Sequence, residues 1–269
     1  MKTLFIGAGN MGSAIIGGIL KKKLLHAEEI FIYEINKAAK EKAIKKFKIN
    51  EFIDINSSIS EFDIIVIAVK PQSFKNFIND DKMSELQNLV TDKQLIISIM
   101  AGITIERLQE FFKNSPIVRA MPNTPALIGK GMTVISYSNK VSTSNLESAK
   151  NIFNSIGKIE VLEEKYMDAV TALSGSGPAY VFTFIESLIQ GGILCGLSKE
   201  VSQKLATETI LGSVLMVDES KSIEELRHNV TSPAGTTIEA LTALEKNNFR
   251  YAVIEAVRAA KRRSEELSK

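Results

Sequence analysis

Two stretches of this chain have the residue types and spacing of ligand cradles, and neither carries an ionisable side chain. The first, Gly7-Ala8-Gly9-Asn10-Met11-Gly12, is a G-x-G-x-x-G turn. Gly7 permits a tight turn, Gly9 lets the backbone approach a pyrophosphate, and Gly12 lets the next helix pack closely on the strand before it. The apolar run Thr3–Ile6 precedes the turn and a helical pattern with Ala14, Ile15 and Ile16 follows it. In that context the motif predicts dinucleotide binding, with Asn10 and Met11 among the contacts. The second stretch, Val230-Thr231-Ser232-Pro233-Ala234-Gly235-Thr236-Thr237, is a hydroxyl-rich turn between two helical patterns. Its hydroxyls and backbone N–H groups suit a small anion, and the helix that starts at its end adds a positive dipole end.

Further polar positions fall where such sites recruit residues. Glu34 lies about 20 residues beyond the glycine turn, at the end of the second apolar run, where an acid binds ribose hydroxyls and disfavours a 2′-phosphate. An ordinary solvated charge explains it equally well. Asn36 and Lys37 follow and suit a 2′-phosphate if Glu34 points away, so both NADH and NADPH remain open. Ala68-Val69-Lys70-Pro71 ends the next apolar run. Ligands in parallel sheets sit beyond the strand ends, which places Lys70 near a cofactor or an anionic substrate. Ala101-Gly102 and Asn123-Thr124 end later runs in the same way, and Asn123-Thr124, bracketed by prolines, suits the nicotinamide amide. Ser174-Gly175-Ser176-Gly177-Pro178 is a second small-residue loop, with Pro178 in the first turn of a helix and Ser176 or Gly177 as its cap. A well-capped helix start explains each small-residue loop alone; two in one stretch favour a shared ligand site.

The elements that position these residues follow from periodicity. Runs 3–6, 30–33, 64–69, 95–99 and 117–120 read as strands, and 10–23, 36–47, 73–89 and 104–113 as helices. Continuous apolar strands alternating with helices predict a parallel sheet covered on both faces. A strand–helix–strand passage follows at 131–136, 142–156 and 157–161. Helical patterns then fill 163–173, 178–196, 198–219, 222–229, 236–246 and 248–267. The expected architecture is α/β, with a dinucleotide-binding Rossmann-type domain over 1–161 and an all-helical domain over 162–269. The helices of the second domain are apolar on more than one face, so dimerisation through them is expected.

Composition narrows the function. The chain has 269 residues, 45% hydrophobic and 24% charged, with a formal charge of +2. That balance gives no reason to expect nucleic-acid binding. Two histidines and one cysteine make no metal site by spacing, and none is expected. Cys195 lies in an apolar helical pattern and reads as a core thiol in a reducing compartment. The N-terminal apolar run carries Asn10 and several glycines and reads as a strand and helix, not as a leader. The stretch 179–197, interrupted by Glu186 and Gln190, reads as a buried helix and not a membrane span. A cytoplasmic protein is expected.

The segments GAGNMG, AVKP, MAGIT, RAMPNTPA, LSGSGPAY and VTSPAGTT occur in the order seen in pyrroline-5-carboxylate reductases, which the chain resembles over essentially its whole length. The resemblance implies an enzyme that uses NADPH or NADH to reduce the C=N bond of 1-pyrroline-5-carboxylate to L-proline. It implies a helical domain that interlocks with its partner in a homodimer, with larger rings of dimers in the family. The substrate is expected between the nicotinamide of one subunit and the SPAGTT loop of the other. Ser232, Gly235 and Thr237 are expected to hold its carboxylate, with Ser174, Gly175 and Thr236 close by. Thr237 is also expected to face the ring nitrogen. Glu164 and Asn229 align with positions near the bound ligands in relatives. One departure stands out, because the loop usually reads SPGGTT and here has Ala234; a positive φ at that position would strain alanine. Two other readings compete. A hydroxy-acid dehydrogenase of related build would need a lysine acid/base in its helical domain, and Lys165 and Lys199 are not in comparable loops. A non-catalytic dinucleotide sensor would have no need of two hydroxyl-rich loops.

Overall fold

Short runs of Ile, Leu, Val and Phe with no polar interruption form strands whose two faces are both buried. In this computed structural model, which describes residues 1–53, 59–71, 89–217 and 222–268, such strands join less uniform ones, eight in all, in one sheet. The strands are β1 (Thr3–Ile6), β2 (Ile30–Tyr33), β3 (Asn50–Glu51), β4 (Ile64–Ile67), β5 (Leu95–Ser98), β6 (Ile117–Pro122), β7 (Gly131–Tyr137) and β8 (Gly157–Val161), in the order β3-β2-β1-β4-β5-β6-β7-β8. The helices are α1 (Asn10–Lys21), α2 (Lys37–Phe47), α3 (Ile105–Phe111), α4 (Thr143–Asn154), α5 (Met167–Val170), α6 (Gly177–Leu194), α7 (Lys199–Val217), α8 (Ile223–Asn229), α9 (Thr236–Lys246) and α10 (Phe249–Ser268).

Pairing from β3 through β6 is parallel, with Thr3 opposite both Ile30 and Ile64. The pair β6–β7 is antiparallel, because the connection holds only the helical turn Thr124–Ile128 and a parallel return needs a crossover of a dozen or more residues. β8 then pairs parallel to β7 across α4. Alternate residues of each strand feed opposite cores. Phe5, Ile32, Val66 and Ile97 pack with Ile15, Ile16 and Ile19 of α1 and Phe153 of α4. Leu4, Ile6, Ile65 and Ile67 face the other way, with Phe52, Phe62 and the α3 residues Ile105 and Leu108. The helix expected over 73–89 falls on residues that, apart from Leu89, lie outside those described.

The chain divides into two compact units, Met1–Ser176 with Ala260–Lys269, and Gly177–Ala259. The periodicity changes at the end of β8, yet the next fifteen residues belong with the sheet. Met167 and Val170 are buried beside Val134, and the Asp168 carboxylate accepts hydrogen bonds from Ser264 at 2.6 Å and Ser268 at 3.2 Å. The single helix expected over 163–173 is broken. A tight turn at Glu164–Tyr166 leads into α5 and then a wide turn over Thr171–Gly175, closed by the Ser176 N–H on the Thr171 carbonyl at 2.8 Å.

In the second unit α6 packs on α7 where Gly192 admits the Ser202 side chain; a Cβ there would lie 2.7 Å from Ser202 Oγ. The Phe184 and Phe249 rings meet with centroids 5.8 Å apart. Most other side chains of this unit are exposed in the single chain, including Phe182, Leu188, Leu211, Val214, Leu215 and Ile254. Two expectations need correction on this point. Cys195 is exposed rather than a core thiol, and no residue of α6 is buried. An apolar pattern on several helix faces specifies burial, but a single copy of this unit has too little partner surface to provide it. Among the described residues no helix is long and apolar enough to cross a membrane.

Candidate active site

The glycine turn is fastened to three strand ends. The Gly7 N–H donates to the Tyr33 carbonyl at 2.8 Å, the Ala68 N–H to the Ile6 carbonyl at 2.8 Å, and the Ala8 N–H to Glu34 Oε2 at 2.8 Å. Gly7 has φ +99°, and a Cβ on it would lie 2.7 Å from the Ala68 carbonyl oxygen. A Cβ on Gly12 would lie 2.5 Å from the Gly7 carbonyl oxygen and 3.4 Å from the Ala68 side chain. Glycine at these two positions lets α1 start directly against the ends of β1 and β4. A Cβ on Gly9 would meet nothing within 4 Å. Gly9 and Asn10 are exposed, so the turn presents an open backbone surface where a pyrophosphate belongs.

The start of α1 fits that ligand. Gly9 is its N-cap, no side chain caps it, and its first turn holds no acid. Five other helices are closed by side chains: Asn36 accepts from Ala39, Thr104 from Arg107, Ser142 from Asn145, Ser198 from Val201 and Ser222 from Glu225. The first N–H groups of a helix have no intrahelical partner, so a glycine-capped start leaves them for an anion. A groove of about 900 Å³ reaches Ala8, Gly9 and Asn10 and continues between α1 and α2, with Lys21, Lys42 and Lys46 among its lining residues. Met11, in the first turn of α1, packs against the core. Val69 and Pro71 are half-buried and Lys70 exposed just beyond β4. Ala101 is half-buried beyond β5, and Gly102, at φ +76°, lies under the last turn of α10, where a Cβ would sit 3.3 Å from the Leu267 carbonyl.

Asn123 and Glu164 are held by other parts of the protein. The Asn123 carboxamide donates to the Ser174 carbonyl at 3.2 Å and hydroxyl at 3.4 Å, and accepts from the Met132 N–H at 2.9 Å. It therefore joins the end of β6 to the Ser174–Gly175 turn, while Thr124 beside it is exposed. A Cβ on Gly175 would lie 2.6 Å from Met121 Cε, so that turn sits directly on β6. Glu164 Oε1 accepts from the Arg119 guanidinium at 2.9 Å and from the Ile105 N–H at 2.7 Å. The Arg119 side chain is only 5% exposed. Glu164 thus neutralises a buried cation of β6 and anchors the start of α3. Its long sequence separation from both partners hid this role from local reading.

In the second unit the loop 230–237 ends at the N-terminus of α9. Gly235 is the N-cap, and no side chain caps this start either. Thr231 turns back instead, its hydroxyl donating to the Arg227 carbonyl at 2.7 Å, which closes the end of α8. Asn229 is the exposed last residue of that helix. Ser232 and Thr236 are exposed and Thr237 is half-buried. The Gly235 N–H donates to the Ser232 carbonyl at 3.2 Å, and a Cβ on Gly235 would overlap the Ser232 hydroxyl. Ala234 has φ +57°, a left-handed conformation that costs an L-residue about 1 kcal/mol.

Acid–base chemistry has few sources here. Lys165 is fully exposed and hydrogen-bonded to Glu163, which raises its pKa above the ordinary lysine value, the wrong direction for a base near neutrality. Lys199 is exposed at the first position of α7. Among the described residues no group of three or more His, Cys, Asp or Glu is placed to hold a metal ion.

Four substitutions test this geometry. Gly9→Ala should leave thermal stability unchanged and weaken dinucleotide binding by roughly tenfold or more, whereas Gly7→Ala should cost about 2–4 kcal/mol in chemical unfolding. Equal effects of the two on stability would contradict the geometry. Glu164→Gln leaves the Arg119 charge buried without a counter-charge and should destabilise the fold by about 3 kcal/mol. Its substrate KM should stay at the wild-type value; a raised KM at unchanged stability would instead make Glu164 a substrate ligand. Ala234→Gly should raise stability by up to about 1 kcal/mol, measured as a shift of the unfolding midpoint.

Comparison with known proteins agrees with both halves. Residues 164–267 match the family model for pyrroline-5-carboxylate reductase dimerisation, and residues 2–102 match that for NADP oxidoreductase, coenzyme F420-dependent. A pyrroline-5-carboxylate reductase of Synechocystis sp. is 41% identical over 98% of this chain and 97% of its own. That of Escherichia coli is 37% identical over 98% of this chain and 97% of its own. The crystal structure of Plasmodium falciparum pyrroline carboxylate reductase with NADP bound superposes with a TM-score of 0.88 at 37% identity, covering 100% of this chain and 98% of that one. With an open glycine turn at one end, an open hydroxyl-rich helix start at the other, and relatives of this identity along its whole length, the chain belongs to the pyrroline-5-carboxylate reductase family.

Proposed function

We propose that this protein reduces the C=N bond of 1-pyrroline-5-carboxylate to L-proline, with NADH or NADPH as hydride donor. The observation that carries the reading is the pair of glycine-capped helix starts that no side chain closes, α1 at Gly9 and α9 at Gly235. One suits the pyrophosphate of a dinucleotide and the other a carboxylate.

A nicotinamide dinucleotide held by its pyrophosphate at residues 7–12 would supply a hydride to the imine carbon. The rest of the chemistry is binding, orientation and one proton. A cyclic imine is readily protonated, and its iminium is already electrophilic, so the protein needs no strong base. The Ser232 hydroxyl and the Thr237 N–H hold the substrate carboxylate beside Gly235, whose own N–H is bonded to the Ser232 carbonyl. The Thr237 hydroxyl, half-buried in the first turn of α9, lies against the ring nitrogen, where it orients the ring and donates to the nitrogen as the lone pair forms. Ser174, Gly175 and Thr236 border the substrate. Asn123 acts through Ser174, which it holds by two hydrogen bonds. Glu34, Asn36, Ala68, Val69, Lys70, Pro71, Ala101, Gly102, Thr124 and Asn229 border the cofactor. Positioning two reactants in this way is worth roughly 7–11 kcal/mol of the barrier.

The exposed apolar faces of α6 and α7 are covered in a homodimer, and dimers associate further into a ring. Each fully buried Val, Leu or Phe side chain contributes about 1.5–3 kcal/mol, which makes such faces poor candidates for permanent exposure. The reaction takes place in the cytoplasm.

Replacing Thr237 with Ala tests the substrate half. It should lower kcat for the imine by about a hundredfold and leave cofactor affinity unchanged, as read from NAD(P)H fluorescence titration. Wild-type turnover in that variant would remove Thr237 from the chemistry.

A further inference from the structure

We infer that Glu34 makes this chain selective for NADH over NADPH, by fixing a carboxylate where the 2′-phosphate of NADPH would have to lie. The inference rests on the reading that residues 7–12 hold a nicotinamide dinucleotide. Both oxygens of Glu34 are committed. Oε2 accepts from the Ala8 N–H at 2.8 Å, inside the glycine turn, and Oε1 accepts from the Asn36 N–H at 2.8 Å, just ahead of α2. The carboxylate is half-buried and cannot swing aside without giving up two backbone hydrogen bonds, one of them to the part-buried Ala8 N–H. It spans the gap between the turn that cradles a pyrophosphate and the end of β2, which is the stretch an adenosine ribose covers.

A 2′-hydroxyl can donate to that carboxylate, which has lone pairs beyond the two in use. A 2′-phosphate brings up to two further negative charges and no donor at neutral pH. The nearby groups that could compensate are neutral, paired, distant or mobile. The Asn36 carboxamide, whose oxygen accepts from the Ala39 N–H at 2.9 Å and closes the start of α2, has an NH2 that can donate a hydrogen bond but brings no charge. Lys40 is paired with Glu51 at 2.5 Å. Lys42 and Lys46 lie about 8 and 14 Å farther along the helix axis from its first residue. Lys37, exposed at that first residue, is the nearest cation in sequence, and its flexible side chain stands in water, where its attraction is screened. The fixed charge therefore outweighs the mobile one.

Calorimetric titration of the full-length protein with ADP-ribose and with its 2′-phosphate tests this without turnover. ADP-ribose should bind roughly tenfold or more tighter. Glu34→Gln keeps one acceptor for the backbone and removes the charge, and the two affinities should then agree to within about threefold. Raising ionic strength on the wild-type protein should narrow the same gap by screening the repulsion, a readout that needs no variant to fold. Equal or tighter binding of the 2′-phosphate overturns the inference. So does a Glu34→Gln protein that weakens both ligands in the same proportion, because Glu34 would then only hold the turn. Binding of the 2′-phosphate that weakens relative to ADP-ribose as salt rises overturns it too, and puts Lys37 in charge. Imine reduction that prefers NADPH overturns this inference alone, whereas failure of either ligand to bind overturns the reading of residues 7–12 as well.

Discussion

The cofactor half depends on a backbone contact that only glycine allows. Gly7, at φ +99°, lies against the Ala68 carbonyl at the end of β4. With any side chain at residue 7, β1 and β4 could not end side by side as they do, and the turn would lose its place. That contact brings Ala8 to Glu34, aligns the start of α1 with the strand ends, and leaves Gly9 facing outward. Gly12 repeats the constraint one turn later against Gly7 itself. The two hydrophobic layers on either face of the sheet make this arrangement rigid. Their strength comes from strands such as Ile64–Ile67, buried throughout, which hold β1 and β4 in register.

The two helices proposed to face the ligands, α1 and α9, share one device. Five others are closed by an Asn, Thr or Ser, at Asn36, Thr104, Ser142, Ser198 and Ser222. At α1 and α9 the chain places glycine and leaves the N–H groups open. Near α9 the hydroxyl that could have competed, Thr231, is turned back onto α8. Such a start recognises an anion without introducing a titrating group, which suits a substrate that carries its own proton on the ring nitrogen. Ala234 is the exception in this economy. It sits in the left-handed region where glycine costs nothing, so the loop holds its shape against a small local strain.

Much of this was legible in the sequence, and the rest was hidden for physical reasons. The strands of the sheet announced themselves because burial on both faces removes polar residues from them. β3 did not, being two polar residues, Asn50 and Glu51, placed by pairing rather than by pattern. The glycine turn and the hydroxyl-rich loop were legible because their chemistry is local. The roles of Asn123 and Glu164 were not, because their partners Ser174, Arg119 and Ile105 are 45 to 59 residues away. The turn at Thr171–Gly175 read as continuous helix, since a widened turn keeps nearly the same apolar spacing. The exposure of Cys195 and α6 does not follow from the sequence for the opposite reason: their apolar pattern signals burial, and a single copy of the chain does not provide it.

The reduction proposed here transfers one hydride between two named carbons, and isotopic labelling follows it directly. Incubation of the protein with 1-pyrroline-5-carboxylate and NADH or NADPH carrying deuterium at the transferred C4 position should yield proline with a single deuterium at Cδ, seen by NMR and mass spectrometry. Unlabelled proline, or no proline with either cofactor, would contradict it.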